Sequence, residues 1–219
     1  MQGLIIEPHY IPNLRYFSKF LISNCIIIDD LSLFRKQSFR NRANILSVNG
    51  ILHLIVPVCK GRSKIIFKDI RIDNTLLWQK THWNSIVSAY NKSAYFQFYK
   101  HLFAGYYEKR YGFLLDLNLD IIRTIATILS LPSEIILFSD FTGDVTELTD
   151  QRNSIDPKPR YDKADDMFTS INYSQVFSDR FEFVSDLSVI DLIFNHGPDT
   201  TTVLQQSVIT MGKGINRPF

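Results

Sequence analysis

Residues 5–10 read IIEPHY, an apolar run closing on His9, and residues 25–30 read CIIIDD, an apolar run closing on Asp29 and Asp30. A histidine beside carboxylates can take up and return a proton near neutral pH. If the two runs are parallel strands, His9, Asp29 and Asp30 reach one sheet edge, the carboxyl edge at which open α/β sheets bind ligands. These three are the catalytic candidates. The plainer alternative is that an Asp caps the next turn and His9 is solvated.

A basic segment follows, FRKQSFRNRANI, with Arg35, Lys36, Arg40 and Arg42. Guanidinium forks pair bidentately with phosphate and carboxylate. In an extended segment Arg40 and Arg42 alternate by two and point the same way, able to grip one anion, while Asn41 faces the other side. Arg40, Arg42, Asn41 and Lys36 are therefore substrate-binding candidates. Trp78 and His82 lie four apart and share a face of the helix expected there, so they could line a sugar pocket or pack against a sheet. Lys158, Arg160 and Lys163 in the proline-containing stretch NSIDPKPRYDK could close over an anion. A solvated face is the ordinary fate of such charge runs.

Other chemistries leave no trace. The chain has no GxGxxG, GxxxxGK[ST], HExxH or GxSxG. Its five His and two Cys, Cys25 and Cys59, show no metal-ligand spacing, so no metal or cofactor is expected beyond Mg²⁺ travelling with substrate phosphates. Two cysteines make no disulfide framework, and a reducing cytoplasm is the expected compartment. A net charge of +2 lacks the basic excess of a generic nucleic-acid binder. No apolar stretch of about 18 residues is present, so no membrane span is expected. The 45% apolar and 13% aromatic content can build a sizeable core.

Positioning these groups requires particular elements. Residues 3–7 and 25–29 read as buried strands, with a helix over 14–23 whose Leu14, Phe17 and Leu21 share a face: a βαβ unit with a parallel pair. Apolar runs at 43–48 and 51–58 flank Asn49-Gly50, the signal of a type I′ hairpin, here joining a mixed sheet. Residues 65–72 are a further strand candidate. Helices are expected over 75–90, 94–111 and 118–129, forming a central helical layer, then a strand over 134–138. Residues 143–166 read as a polar, mobile loop. A last helix spans 188–195, capped by Ser188 or Asp186, burying Val189, Leu192 and Ile193 and stopped at Gly197. The expected architecture is a single α/β domain over 1–206 with a polar tail over 207–219.

An ordered set of segments carries a resemblance: IIEPHYIPNLRYF, IIIDDLSLFRKQSFRNRANI, LIVPVCKG, IDNTLLWQKTHWNSIVSAYNKSAYF, NLDIIRTIATIL, SIDPKPRYD, YSQVF and LSVIDLIFNHGPDT. In this order, up to about Thr202, they make the chain similar to the WbqC-like family of bacterial proteins. It departs from that family's usual pattern at Glu7, commonly Gln, and at His9, Arg15 and Cys25. The resemblance implies a place in surface-polysaccharide (O-antigen) assembly, such as acyl or aminoacyl transfer to an amino sugar carried on a nucleotide. It transfers no catalytic residue. A nucleotidyl or adenylyl transferase on a Rossmann-like sheet, or a non-catalytic partner of a glycan-assembly complex, is the alternative.

Overall fold

The computed structural model describes residues 3–59, 64–158 and 165–209. The first apolar run forms β1 (Leu4–Ile6), buried throughout. Asn13 then caps α1 (Leu14–Ile22), its Oδ1 accepting the Tyr16 N–H at 3.0 Å. The chain returns as β2 (Cys25–Ile28), parallel to β1 with Leu4 opposite Ile26 and Ile6 opposite Ile28. The βαβ unit expected from the pattern is therefore present. Its strands are continuous apolar runs because both faces of a parallel sheet are covered.

β3 (Arg42–Ser47) and β4 (Gly50–Ile55) form an antiparallel hairpin. Two expectations need correcting here. The hairpin is a separate two-stranded ribbon rather than part of one mixed sheet. Ser47 pairs with Gly50, and Gly50 alone takes positive φ, at 97°, so Val48 and Asn49 make the turn. A type I′ turn on Asn49-Gly50 would need positive φ at both positions. The strand expected over 65–72 is likewise absent: Phe67–Asp69 is a 3₁₀ turn, flanked by single bridges. Phe67, Ile70 and Ile72 are buried, and the run's spacing suits a turn that drops side chains into the core.

The helical layer consists of α2 (Trp78–Tyr90), α3 (Phe96–Glu108) and α4 (Leu114–Ile128). On α4, Leu114, Leu117, Ile121, Ile122 and Ile125 form one buried face. Removing each such side chain from water is worth about 1.5–3 kcal/mol. β5 (Glu134–Leu137) joins the far side of β2, and β6 (Thr149–Asp150) joins the free side of β1. The sheet is thus four parallel strands ordered β5-β2-β1-β6. Residues 143–158 are not structureless, since they supply β6 and a 3₁₀ turn. Pro159, Arg160 and Lys163 lie outside the described residues.

The last helices are α5 (Val189–His196) and α6 (Thr200–Gln206). Ser188 caps α5, and Val189, Leu192 and Ile193 face inward as expected. Gly197 ends α5 with φ 53°, and a Cβ there would run into the Tyr95 ring. Of the polar tail, residues 210–219 lie outside the described residues.

Candidate functional site

The parallel sheet carries its charged groups at the carboxyl edge. Glu7 and His9 follow β1, Asp29 and Asp30 follow β2, Ser139 follows β5, and Arg152 and Asn153 follow β6. Side chains and amides link these strand ends to one another. The Ser139 N–H donates to Asp30 Oδ1 at 2.9 Å, Arg152 reaches Asp29 Oδ2 at 3.4 Å, and the Asn153 N–H donates to Glu7 Oε2 at 3.2 Å.

Glu7 is the centre of the cluster, although its side chain is only 2% exposed. The Arg40 guanidinium donates to Glu7 Oε1 at 2.6 Å and to the Leu33 carbonyl at 2.6 Å, and it lies over the Phe67 ring. His9 Nε2 stands 3.6 Å from Glu7 Oε2. Burial alone would raise the Glu7 pKa, but His9 and Arg40 outweigh it and bring it down to about 2. Glu7 is a permanent anion at neutral pH.

His9 is enclosed between the rings of Tyr16, at 5.0 Å, and Phe39, at 5.7 Å. That burial, together with the positive charges of Arg40 and Arg15, depresses its pKa despite Glu7. The ring is neutral at pH 7. Because Glu7 faces Nε2, the proton belongs there and Nδ1 is left as the basic nitrogen. Nδ1 has no hydrogen-bond partner among the described residues. A carboxylate behind one nitrogen and an open lone pair on the other is the arrangement of a general base. The Tyr16 hydroxyl, also buried without a partner among the described residues, is held protonated by its burial and by Glu7.

The other candidates take different places. Asp29 Oδ1 accepts the N–H groups of Leu31 and Ser32, at 3.2 and 3.0 Å, and so caps the turn after β2. Asp30 accepts from Ser139. Arg40 and Arg42 diverge. The Asn41 N–H reaches back to the Ser38 carbonyl at 3.4 Å, so Arg40 sits in a turn, not an extended run. Arg42 opens β3 opposite Ile55, near His53, whose pKa is lowered by burial and then by Arg42. Asn41 donates to the Val56 carbonyl at 2.9 Å, and Lys36 is exposed. Trp78 packs edge-on to His82, both buried.

His82 belongs to a second network beneath the same loop. The Tyr107 hydroxyl lies 3.1 Å from that of Tyr10, and the latter lies 2.9 Å from His82 Nδ1. Burial lowers the His82 pKa to about 4. A groove of ≈ 810 Å³ lies elsewhere, between the hairpin and α2, lined by Ser47, Asn49, Leu52, Thr81 and Ser85 among others. Among the described residues no cluster of three or more His, Cys, Asp or Glu could hold a metal ion, and no helix is long and apolar enough to cross a membrane.

Sequence reasoning missed Glu7 and Asn118. Both look ordinary in their local context, and their partners are distant: Arg40 lies 33 residues from Glu7, and Asn118 lies 110 from Pro8.

The chain is 30% identical over 134 residues to the uncharacterized protein Rv1507c of Mycobacterium tuberculosis. That match covers 60% of this chain and 57% of the relative. No solved structure matches the chain. Residues 7–163, which hold Glu7, His9, Arg40 and every described strand but β1, match the WbqC-like protein family, and the chain belongs to that family.

Proposed function

We propose that this protein is a transferase of bacterial surface-glycan assembly, passing an acyl or aminoacyl group to the amino group of a nucleotide-linked amino sugar. Its family resemblance to O-antigen cluster proteins motivates the setting. The observation that carries the chemistry is the neutral His9, backed by Glu7 at the carboxyl edge of a parallel sheet. In the reaction the sugar amine attacks the acyl carbonyl carbon. A C–N bond forms, the bond from carbonyl to leaving group breaks, and the electron pair departs with the leaving group. His9 Nδ1 takes the amine proton and hands it to that leaving group. Glu7 steadies the imidazolium formed in between.

Arg40 acts on Glu7 rather than on substrate, because its guanidinium is already committed. Lys36, exposed on the turn before Arg40, and Arg42 are the cations offered to the phosphates. Asp29 and Asp30 shape the strand ends around His9, while Trp78 and His82 support its loop from below. The scheme uses no resident metal, and Mg²⁺ would arrive on the phosphates. The cluster is sealed from solvent in this conformation, so an incoming amine must displace part of the covering chain.

The test is direct. Purified protein is incubated with UDP-, GDP- and dTDP-linked amino sugars and an acyl thioester or aminoacyl donor, and products are weighed by mass spectrometry. An acylated sugar nucleotide is expected, with the rate falling roughly 100-fold or more in His9→Ala, the usual scale of a lost general base. Full turnover in a folded His9→Ala variant would remove the assignment.

A further inference from the structure

The active-face residues stand on two separate stretches of chain, the loop after β1 and the turn before β3, and one side chain reaches both. Asn118 projects from the otherwise apolar buried face of α4 and is completely enclosed. Its Nδ2 donates to the Arg40 carbonyl at 2.8 Å and to the Pro8 carbonyl at 3.2 Å. Pro8 lies between Glu7 and His9. One carboxamide thus ties the backbone that carries the base to the backbone that carries the cation holding Glu7.

Two acceptors on the nitrogen side also fix the amide orientation, since a flipped group would set its oxygen against both carbonyls. An isolated buried amide costs free energy that an apolar residue would not. Leu117, Leu119, Ile121 and Ile122 surround it in sequence, so the helix has no packing need for a polar group there. The amide matches the two carbonyls it meets and no other described group, because its Oδ1 has no partner among the described residues.

We infer that Asn118 is a positioning residue: it sets the spacing between Glu7, His9 and Arg40, and through that spacing the single imidazole tautomer that leaves Nδ1 basic. This rests on the reading of His9 as a base, but it is tested on the resting protein, without any turnover.

The experiment is long-range ¹H–¹⁵N NMR of the histidine rings at pH 7, which distinguishes the two neutral tautomers. Wild-type His9 should show the Nε2–H form alone. Asn118→Leu, close in volume and without donors, should lose that single-tautomer pattern, and Asn118→Gln, which keeps the carboxamide, should regain it at least in part. Leu117→Ala, a buried truncation on the same helix, should leave the pattern intact while lowering stability. A wild-type His9 pattern in folded Asn118→Leu overturns the inference, and so does an equal disturbance in Leu117→Ala. If Asn118→Leu does not fold, Asn118→Thr, smaller and with one donor, takes its place: a part-way loss supports the inference and an unchanged pattern overturns it. Absence of transferase activity leaves these spectra as they are, so the two ideas fail separately.

Discussion

The Tyr10 hydroxyl and His82 Nδ1 stand 2.9 Å apart in the buried core, though 72 residues separate them in sequence. Burial pushes the Tyr10 pKa well above 10, so the hydroxyl keeps its proton, and with the His82 ring N–H given to the Ile55 carbonyl, Nδ1 is the nitrogen left to accept from it. The remaining ring proton, on Nε2, points to the Ile55 carbonyl. This bond pins the loop next to His9 onto α2, and it requires a neutral His82.

Stability should therefore fall in acid by a recognisable route. The folded His82 pKa of about 4 lies below its ordinary value of 6.5. The unfolded chain binds the proton more readily, so the contribution is complete above pH 6.5 and is lost as pH falls from there through 4. It amounts to roughly 3 kcal/mol across that window. Urea midpoints measured between pH 7 and pH 4 should fall less steeply in His82→Phe than in the wild type. Equal slopes would show that another group titrates.

Asp191 should act in the opposite sense over an overlapping range. It accepts from the Tyr173 hydroxyl at 2.9 Å and from Gln175 at 3.2 Å, yet burial raises its pKa from 3.8 to about 6. The folded state holds this proton more tightly than the unfolded chain. Its contribution is present below pH 3.8 and is lost, by roughly 3 kcal/mol, as pH rises through 6. Asp191→Asn should flatten that decline and be at least as stable as the wild type at pH 7. Thermal melts across pH 4–7 decide it, and a variant markedly less stable at pH 7 would contradict the sign.

The Glu7–Arg40 pair should be costly to break from one side. Arg40→Met strands a buried carboxylate and should destabilise by about 3–5 kcal/mol. The double variant Glu7→Gln/Arg40→Met should recover a substantial part of that. Additive losses in chemical denaturation would mean the two side chains act independently.

Gly197→Ala should cost about 2 kcal/mol or more, because φ 53° is strained for alanine and the Tyr95 ring occupies the space a Cβ needs. Gly105→Ala makes a fair control: it sits in α3 with nothing near its missing Cβ, and should be neutral or slightly stabilising. Comparable losses in both would point to something other than local geometry.

Elements with strong periodicity were legible in the sequence. The β1–α1–β2 unit, the α4 face and the Ser188-to-Gly197 helix follow from apolar spacing and capping chemistry alone. What failed was local geometry set from outside. β6 is two residues, Thr149 and Asp150, with no apolar pattern, and it is a strand only because β1 offers it a free side. Arg40 and Arg42 would point alike in an extended chain, but the turn at Ser38–Asn41 sends Arg40 inward to Glu7. His9, Asp29 and Asp30 stand at the carboxyl edge because they follow two parallel strands, which the apolar runs encode. That Glu7 is the carboxylate facing His9 depends on the depth of each group, which spacing does not encode.

The sheet order carries a consequence for how the molecule comes into being on a ribosome. β1 emerges more than a hundred residues before β6, yet one of its two sides waits for that strand. Pairing so remote in sequence is slow to find. Glu7 takes its Asn153 contact only when that segment arrives. A nascent chain halted before residue 149 would therefore hold β1 and β2 side by side with an open flank and an incomplete acid–histidine cluster. Completion of the Glu7 cluster therefore follows the synthesis of β6 and the turn after it.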